Sequence, residues 1–125
     1  MTRPVALILF VLCCLLAACG EPPDDPARAE AVRAILVRAY PEMQDKATIR
    51  VPKTAAAKAQ ARTALDRTAA TGPQGQDICF KLYTAAMSRS AASLDLNGAE
   101  VYDRDGKLAV YRWGDMAACQ VWASS

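Results

Sequence analysis

The sequence predicts an α+β domain with two or three helices packed on one face of a small antiparallel meander of three to four strands. Three observations carry that prediction. Apolar residues recur at helical spacing in the first half, turn dipeptides arrive at regular intervals in the last third, and the segments between those turns alternate so that aliphatic and aromatic side chains separate.

Asp25-Pro26 followed by ARAEAVRAILVRAY supplies an N-cap and a proline for the first turn. Val32, Ile35, Leu36, Ala39 and Tyr40 then form one stripe and Pro41 closes it, so a helix is predicted over 27–40. Arg28, Arg33 and Arg38 fall off that stripe and read as a solvated basic face; beside a membrane, such a face could also touch anionic lipid or peptidoglycan. Thr48-Ile49-Arg50-Val51 before Pro52 reads as a brief edge strand. Residues 54–68, TAAAKAQARTALDRT, are rich in helix formers, with Lys58, Arg62 and Asp66 at four-residue spacing, and predict a second helix with a weak apolar face. A break at Thr71-Gly72-Pro73-Gln74-Gly75 comes next. The stretch after it, DICFKLYTAAMSRSAAS, fits a helix capped by Asp77, with Cys79, Leu82, Tyr83, Ala86 and Met87 on one face, or a strand in which Ile78, Phe80 and Leu82 alternate with Cys79, Lys81 and Tyr83. The scarcity of strand formers in TAAMSRSAA favours a helix over 77–91.

Asn97-Gly98, Asp105-Gly106 and Gly114-Asp115 punctuate the remainder, leaving AEVYD, KLAVYRW and MAACQVWA as three strands, with 94–96 as a short fourth. Pairing these through their turns places Val101, Leu108, Val110, Cys119 and Val121 on one face. The other face collects Tyr102, Tyr111, Trp113, Gln120 and Trp122, with Glu100 and Lys107 towards the rim. The aliphatic face is the one a helix should cover. The aromatic face is either a second core layer under the helix over 27–40 or an exposed binding surface.

The N-terminus carries Arg3, then an apolar run from Val5 to Ala18 that is too short for a membrane span and ends in Leu16-Ala17-Ala18-Cys19. That ending resembles the lipobox of bacterial lipoproteins. The resemblance covers only the targeting segment, and it implies a signal peptide over 1–18, acylation of Cys19 with palmitate among the chains, and attachment to the membrane through that lipid. Gly20 rather than Asp after the cysteine implies the periplasmic face of the outer membrane of a Gram-negative cell. Residues 19–26 then read as the lipidated cysteine and a short proline-rich tether, and 27–125 as one small periplasmic domain.

With 15 Lys and Arg against 13 Asp and Glu, the chain is near neutral and nothing points to nucleic acid. The sequence contains 0 His, which removes Ser-His-Asp and Cys-His nucleophile pairs and HExxH metal sites. No catalytic residue, metal site or cofactor is expected. Outside the signal segment and Cys19 only Cys79 and Cys119 remain, and in an oxidising periplasm such a pair is expected to form a disulfide. The turn sequences Asp103-Arg104-Asp105-Gly106 and Asp95-Leu96-Asn97-Gly98 lack the ligand count of a calcium loop and read as turns. The expected function is therefore a membrane-anchored, non-enzymatic binding, accessory or inhibitor module for an envelope protein partner. The alternative is recognition of peptidoglycan or another glycan by the aromatic sheet face.

Overall fold

The carboxylate of Asp25 accepts a hydrogen bond from the Arg28 amide at 3.2 Å, and Pro26 fills the first turn, where no N–H is required, so helix α1 runs Pro26–Ala39. The computed structural model describes residues 22–123. The expected signal segment 1–18 and Cys19 lie outside them. After α1 come a 3-10 turn (Pro41–Met43), β1 (Thr48–Arg50), β2 (Ala57–Arg62), α2 (Arg67–Thr71), α3 (Pro73–Ala86), a 3-10 segment (Arg89–Leu94), β3 (Leu96–Tyr102), β4 (Leu108–Trp113) and β5 (Gln120–Val121). Among the described residues no helix is long and apolar enough to cross a membrane.

The fold is α+β, and its sheet is larger than the sequence predicts. Five strands lie in chain order, with β2 and β3 parallel and the other neighbours antiparallel. A parallel pair needs a crossover, which α2 and α3 supply. The principal correction falls on 54–68, expected as a helix. Residues Ala57–Arg62 form β2, an interior strand between β1 and β3, with Ala57, Ala59 and Ala61 buried and Lys58, Gln60 and Arg62 alternating away from them. Helix propensity differs by only tenths of a kcal/mol per residue between ordinary side chains. A helix made from this segment would have almost no apolar stripe to bury, whereas the strand packs all three alanines into the core.

Those alanines, with Ala99, Val101, Ala109 and Val110, join Val32 and Leu36 of α1 and Ile78 and Leu82 of α3 in one buried cluster. The sheet contributes mostly small side chains and the helices contribute large ones. Helix α3 begins at Pro73, earlier than the predicted Asp77, and ends at Ala86. Gly75, in its first turn, is buried where any Cβ would overlap the Ala70 carbonyl, so glycine permits α2 and α3 to meet.

Two further corrections concern the meander. Asn97-Gly98, read as a turn, lies inside β3; Gly98 has φ +135° and a Cβ there would strike the Arg112 carbonyl. The glycine serves a close backbone approach in a strand. A bulge in β4 pairs Leu108 with Tyr102 but Val110 with Val101, which moves Leu108 off the aliphatic face. Val121, expected on the aliphatic face with Val110, pairs with Val110 yet is 43% exposed at the sheet edge.

Long-range clasps fix the ends of the domain. Cys79 of α3 is bonded to Cys119, the residue before β5, with Cα atoms 6.3 Å apart. Arg67 of α2 donates to the carbonyls of Leu108 at 2.6 Å and Trp122 at 3.0 Å. Arg28, expected on a solvated face, instead donates to the carbonyls of Leu94, Pro52 and Thr54 and pairs with Asp25 at 2.8 Å. Residues 23–25, expected in the tether, run beside 51–53: the Asp25 amide donates to the Val51 carbonyl at 2.7 Å and the Lys53 amide to the Pro23 carbonyl at 2.8 Å. The Asp103 carboxylate closes the β3–β4 turn by accepting from the Asp105 and Lys107 amides at 2.9 and 3.0 Å.

The disulfide closes a sequence separation of 40, so Cys119→Ser should cost about 4 kcal/mol in urea denaturation under oxidising conditions. An unchanged midpoint would mean that the bridge does not constrain the unfolded chain. Burial pushes the Asp103 carboxyl up, but the Lys107 and Asp105 amides and Arg67 outweigh it and hold the group below the usual carboxylate range. Its folded pKa is therefore lower than its unfolded one, near 3.9, and its stabilisation is present above about pH 4 and lost as pH falls through the folded value. Asp103→Asn should reduce stability at pH 7 and flatten the decline below about pH 4 relative to the unmodified protein. Parallel stability curves for the two proteins would exclude this role.

Candidate functional site

The five candidate surface residues come from neighbouring positions on the sheet. Glu100 pairs with Tyr111, and Tyr111 with Gln120, so these side chains share a face opposite the one that carries Val101 and Val110. Gly98 pairs with Trp113, and a Cβ at Gly98 would strike the backbone of Arg112 and Trp113. Trp122 comes directly after β5, and its ring stands 5.5 Å from Tyr111 and 6.0 Å from Trp113. The Tyr111 and Trp113 centroids are 4.4 Å apart.

This cluster is separate from the hydrophobic core. The buried core and the half-buried residues packed against it include none of Tyr102, Tyr111, Trp113 or Trp122. Helix α1, one option for covering these rings, packs against α3 and β1 instead. The aromatic rings are half-buried because they shield one another. A second layer exists on the sheet, but its partners are its own members.

Glu100 organises that layer. Expected near the rim, it is only 8% exposed. Its Oε2 accepts from the Trp113 indole N–H at 2.9 Å, and its Oε1 from the Tyr102 hydroxyl at 2.9 Å and the Gln60 amide at 3.1 Å. Burial, and then the charge of Glu100 and its hydrogen bond, push the Tyr102 phenol well above its ordinary pKa, so it remains a hydroxyl donor at any physiological pH. Lys58 places its ammonium 5.6 Å from the Trp113 ring centroid, a cation–π distance. Gln120 is exposed at the edge.

Sequence reasoning missed Lys58, Gln60 and Arg62 as members of this face because they sit on β2, which was expected as a helix. The alternation A-K-A-Q-A-R was the available signal. Outside the aromatic face, Phe80 (52%) and Met87 (41%) are exposed on and just after α3. The chain matches no protein-family model, no curated protein and no solved structure. Function therefore has to come from the chemistry of the site itself.

Glu100→Ala would leave the indole N–H and the Tyr102 hydroxyl without their acceptor. It should destabilise the domain by about 1–3 kcal/mol and shift tryptophan emission. Unaltered emission and stability would mean that the carboxylate does not order the rings.

Proposed function

We propose that this protein is a lipid-anchored, non-enzymatic module of the bacterial envelope that docks a protein partner through the open face of its sheet. The observation that carries the reading is the Tyr111–Trp113–Trp122 cluster, which stands outside the core on the face that neither α1 nor α3 covers. Tryptophan and tyrosine are enriched where protein interfaces concentrate their binding energy, and a rigid aromatic patch loses little conformational freedom on binding. Hydrogen bonds to Glu100 supply that rigidity beforehand.

A sugar ring favours a flat, open aromatic platform. Here the ring planes meet at 47°, 49° and 79° and pack on one another, an arrangement better suited to interlocking with the side chains of a protein. Glycan recognition is accordingly the second reading. Anchoring at Cys19 fits the docked position of Pro23: Cys19 is three residues ahead of Pro22, so the chain between them spans at most about 11 Å. The domain would work close to its membrane, on the periplasmic side of the outer membrane of a Gram-negative cell.

Two experiments test the proposal. Cys19→Ser should move the protein from the membrane to the soluble fraction, and retained membrane association contradicts lipid anchoring. A photo-reactive residue at Tyr111 in living cells should yield a discrete adduct with another protein. Heterogeneous glycan-bearing adducts would favour the second reading, while adducts confined to the chain itself would contradict both.

A further inference from the structure

We propose that a basic groove at one end of the sheet binds a phosphate-bearing ligand with an apolar part. The groove has a volume of about 670 Å³ and is assembled from three separate segments: 44–48 leading into β1, 62–64 at the end of β2, and Arg104 in the β3–β4 turn. Lys46, Arg62 and Arg104 line it, and among the described residues Asp45 is its only acidic one. Several cations of the fold are ion-paired: Arg28 with Asp25, Arg33 with Glu30, Arg50 with Asp24, Arg67 with Asp103, and Lys81 with Asp77 and Glu42. Lys46, Arg62 and Arg104 have no ion pair among the described residues, although Lys46 adds to the field that lowers the Glu42 carboxyl. All three are exposed, so water screens their mutual repulsion, and an anion seated in the groove would be attracted by each of them.

The scaffold beneath them is rigid. Thr48 is paired with Arg62 across β1 and β2. The Arg104 amide donates to the Leu65 carbonyl at 2.8 Å, and Thr63 is tied to the Tyr102 carbonyl through both its amide at 3.1 Å and its hydroxyl at 2.8 Å. The two guanidinium groups are thus carried by backbone held in place before any ligand arrives, and guanidinium forks match phosphate oxygens in a two-pronged manner. The Thr48 hydroxyl and the Gln44 amide add neutral hydrogen-bonding groups to the wall.

A volume of 670 Å³ falls in the ~300–1,000 Å³ range of small-molecule sites and exceeds what a bare phosphate needs. An adjoining hollow of about 340 Å³ shares Asp45, Lys46 and Ala64 with the groove and continues to Leu65 and Ile78. The charged groove would take the phosphate and the hollow the apolar part. The groove adjoins the aromatic face at Arg62, which pairs with Tyr102 in the sheet, but contains none of the Tyr111, Trp113 and Trp122 rings, and the inference does not rest on the docking function proposed above.

A free organic phosphate and a phospholipid headgroup share this chemistry, and a titration of backbone amide resonances separates them. The full-length protein, disulfide intact and in non-ionic detergent, would be titrated with inorganic phosphate, phenyl phosphate and short-chain phosphatidylglycerol at constant ionic strength. Saturable shifts confined to 44–48, 62–65 and 104 are expected, with phenyl phosphate binding more tightly than inorganic phosphate if the ligand is soluble. Shifts with phosphatidylglycerol alone would identify the headgroup as the source. Arg62→Ala with Arg104→Ala should weaken binding by at least about tenfold without lowering the melting temperature, since neither side chain holds another element. Should that pair fail to fold, Lys46→Ala, in an exposed turn, should weaken binding alone. Absent shifts, or shifts spread without saturation over all basic positions including Arg38 and Arg89, would overturn the proposal.

Discussion

A sheet can bring helices close on one side only if the side chains beneath them are small, and in this domain alanine meets that requirement. Ala57, Ala59 and Ala61 of β2 and Ala99 of β3 pave the side on which α1 and α3 lie, and the helices fill the remaining space with Val32, Leu36, Ile78 and Leu82. Interiors pack at near-crystalline density, so larger side chains on the sheet would push the helices away. Strand alternation extends the same constraint to the opposite face. Every small residue turned inward has neighbours turned outward, and on β2, β3 and β4 those neighbours are Lys58, Gln60, Arg62, Glu100, Tyr102, Tyr111 and Trp113. The bulk and the charge of the sheet are concentrated on its uncovered side.

Among the described residues, that side is ordered without a covering element. Trp113 and Tyr102 hold the two oxygens of Glu100, Gln60 reinforces one of them, and the rings rest on one another. A buried carboxylate is tolerated when its acceptors are filled, and here three donors fill them. The surface consequently keeps one shape, which is what a docking face or ligand site requires. The Cys79–Cys119 bridge and the Arg67 hydrogen bonds to Leu108 and Trp122 secure the last strand, which pairs over only two residues and would otherwise fray and take Trp122 with it.

Much of this arrangement was legible in the sequence, and the features that escaped did so for identifiable reasons. Helix α1, the edge strand at Thr48, the last two strands and the division of aromatic from aliphatic faces rest on local period and capping, which the chain states directly. The Cys79–Cys119 pairing was readable because few cysteines were left to choose from. Strand β2 was missed because alanine's weak helix preference was weighed above a two-residue alternation, and with it went the parallel pairing, which no local signal announces. Glu100 looked like a rim residue because one of its partners, Gln60, belongs to that same strand. Gly98 carried a correct signal for unusual backbone, read as a turn when it serves a close strand contact. The basic groove was invisible for a similar reason: its three cations are brought together only when β1, β2 and the β3–β4 turn are assembled.

The central claim is that the aromatic face is formed within the domain yet covered only in the cell. Hydroxyl-radical footprinting of Tyr111, Trp113 and Trp122, performed on the purified protein and on intact cells and read by mass spectrometry, addresses it most directly. Clear oxidation of these rings in the purified protein and marked protection in cells are predicted. Protection in both would make the cluster ordinary core, and equal oxidation in both would mean that nothing docks there.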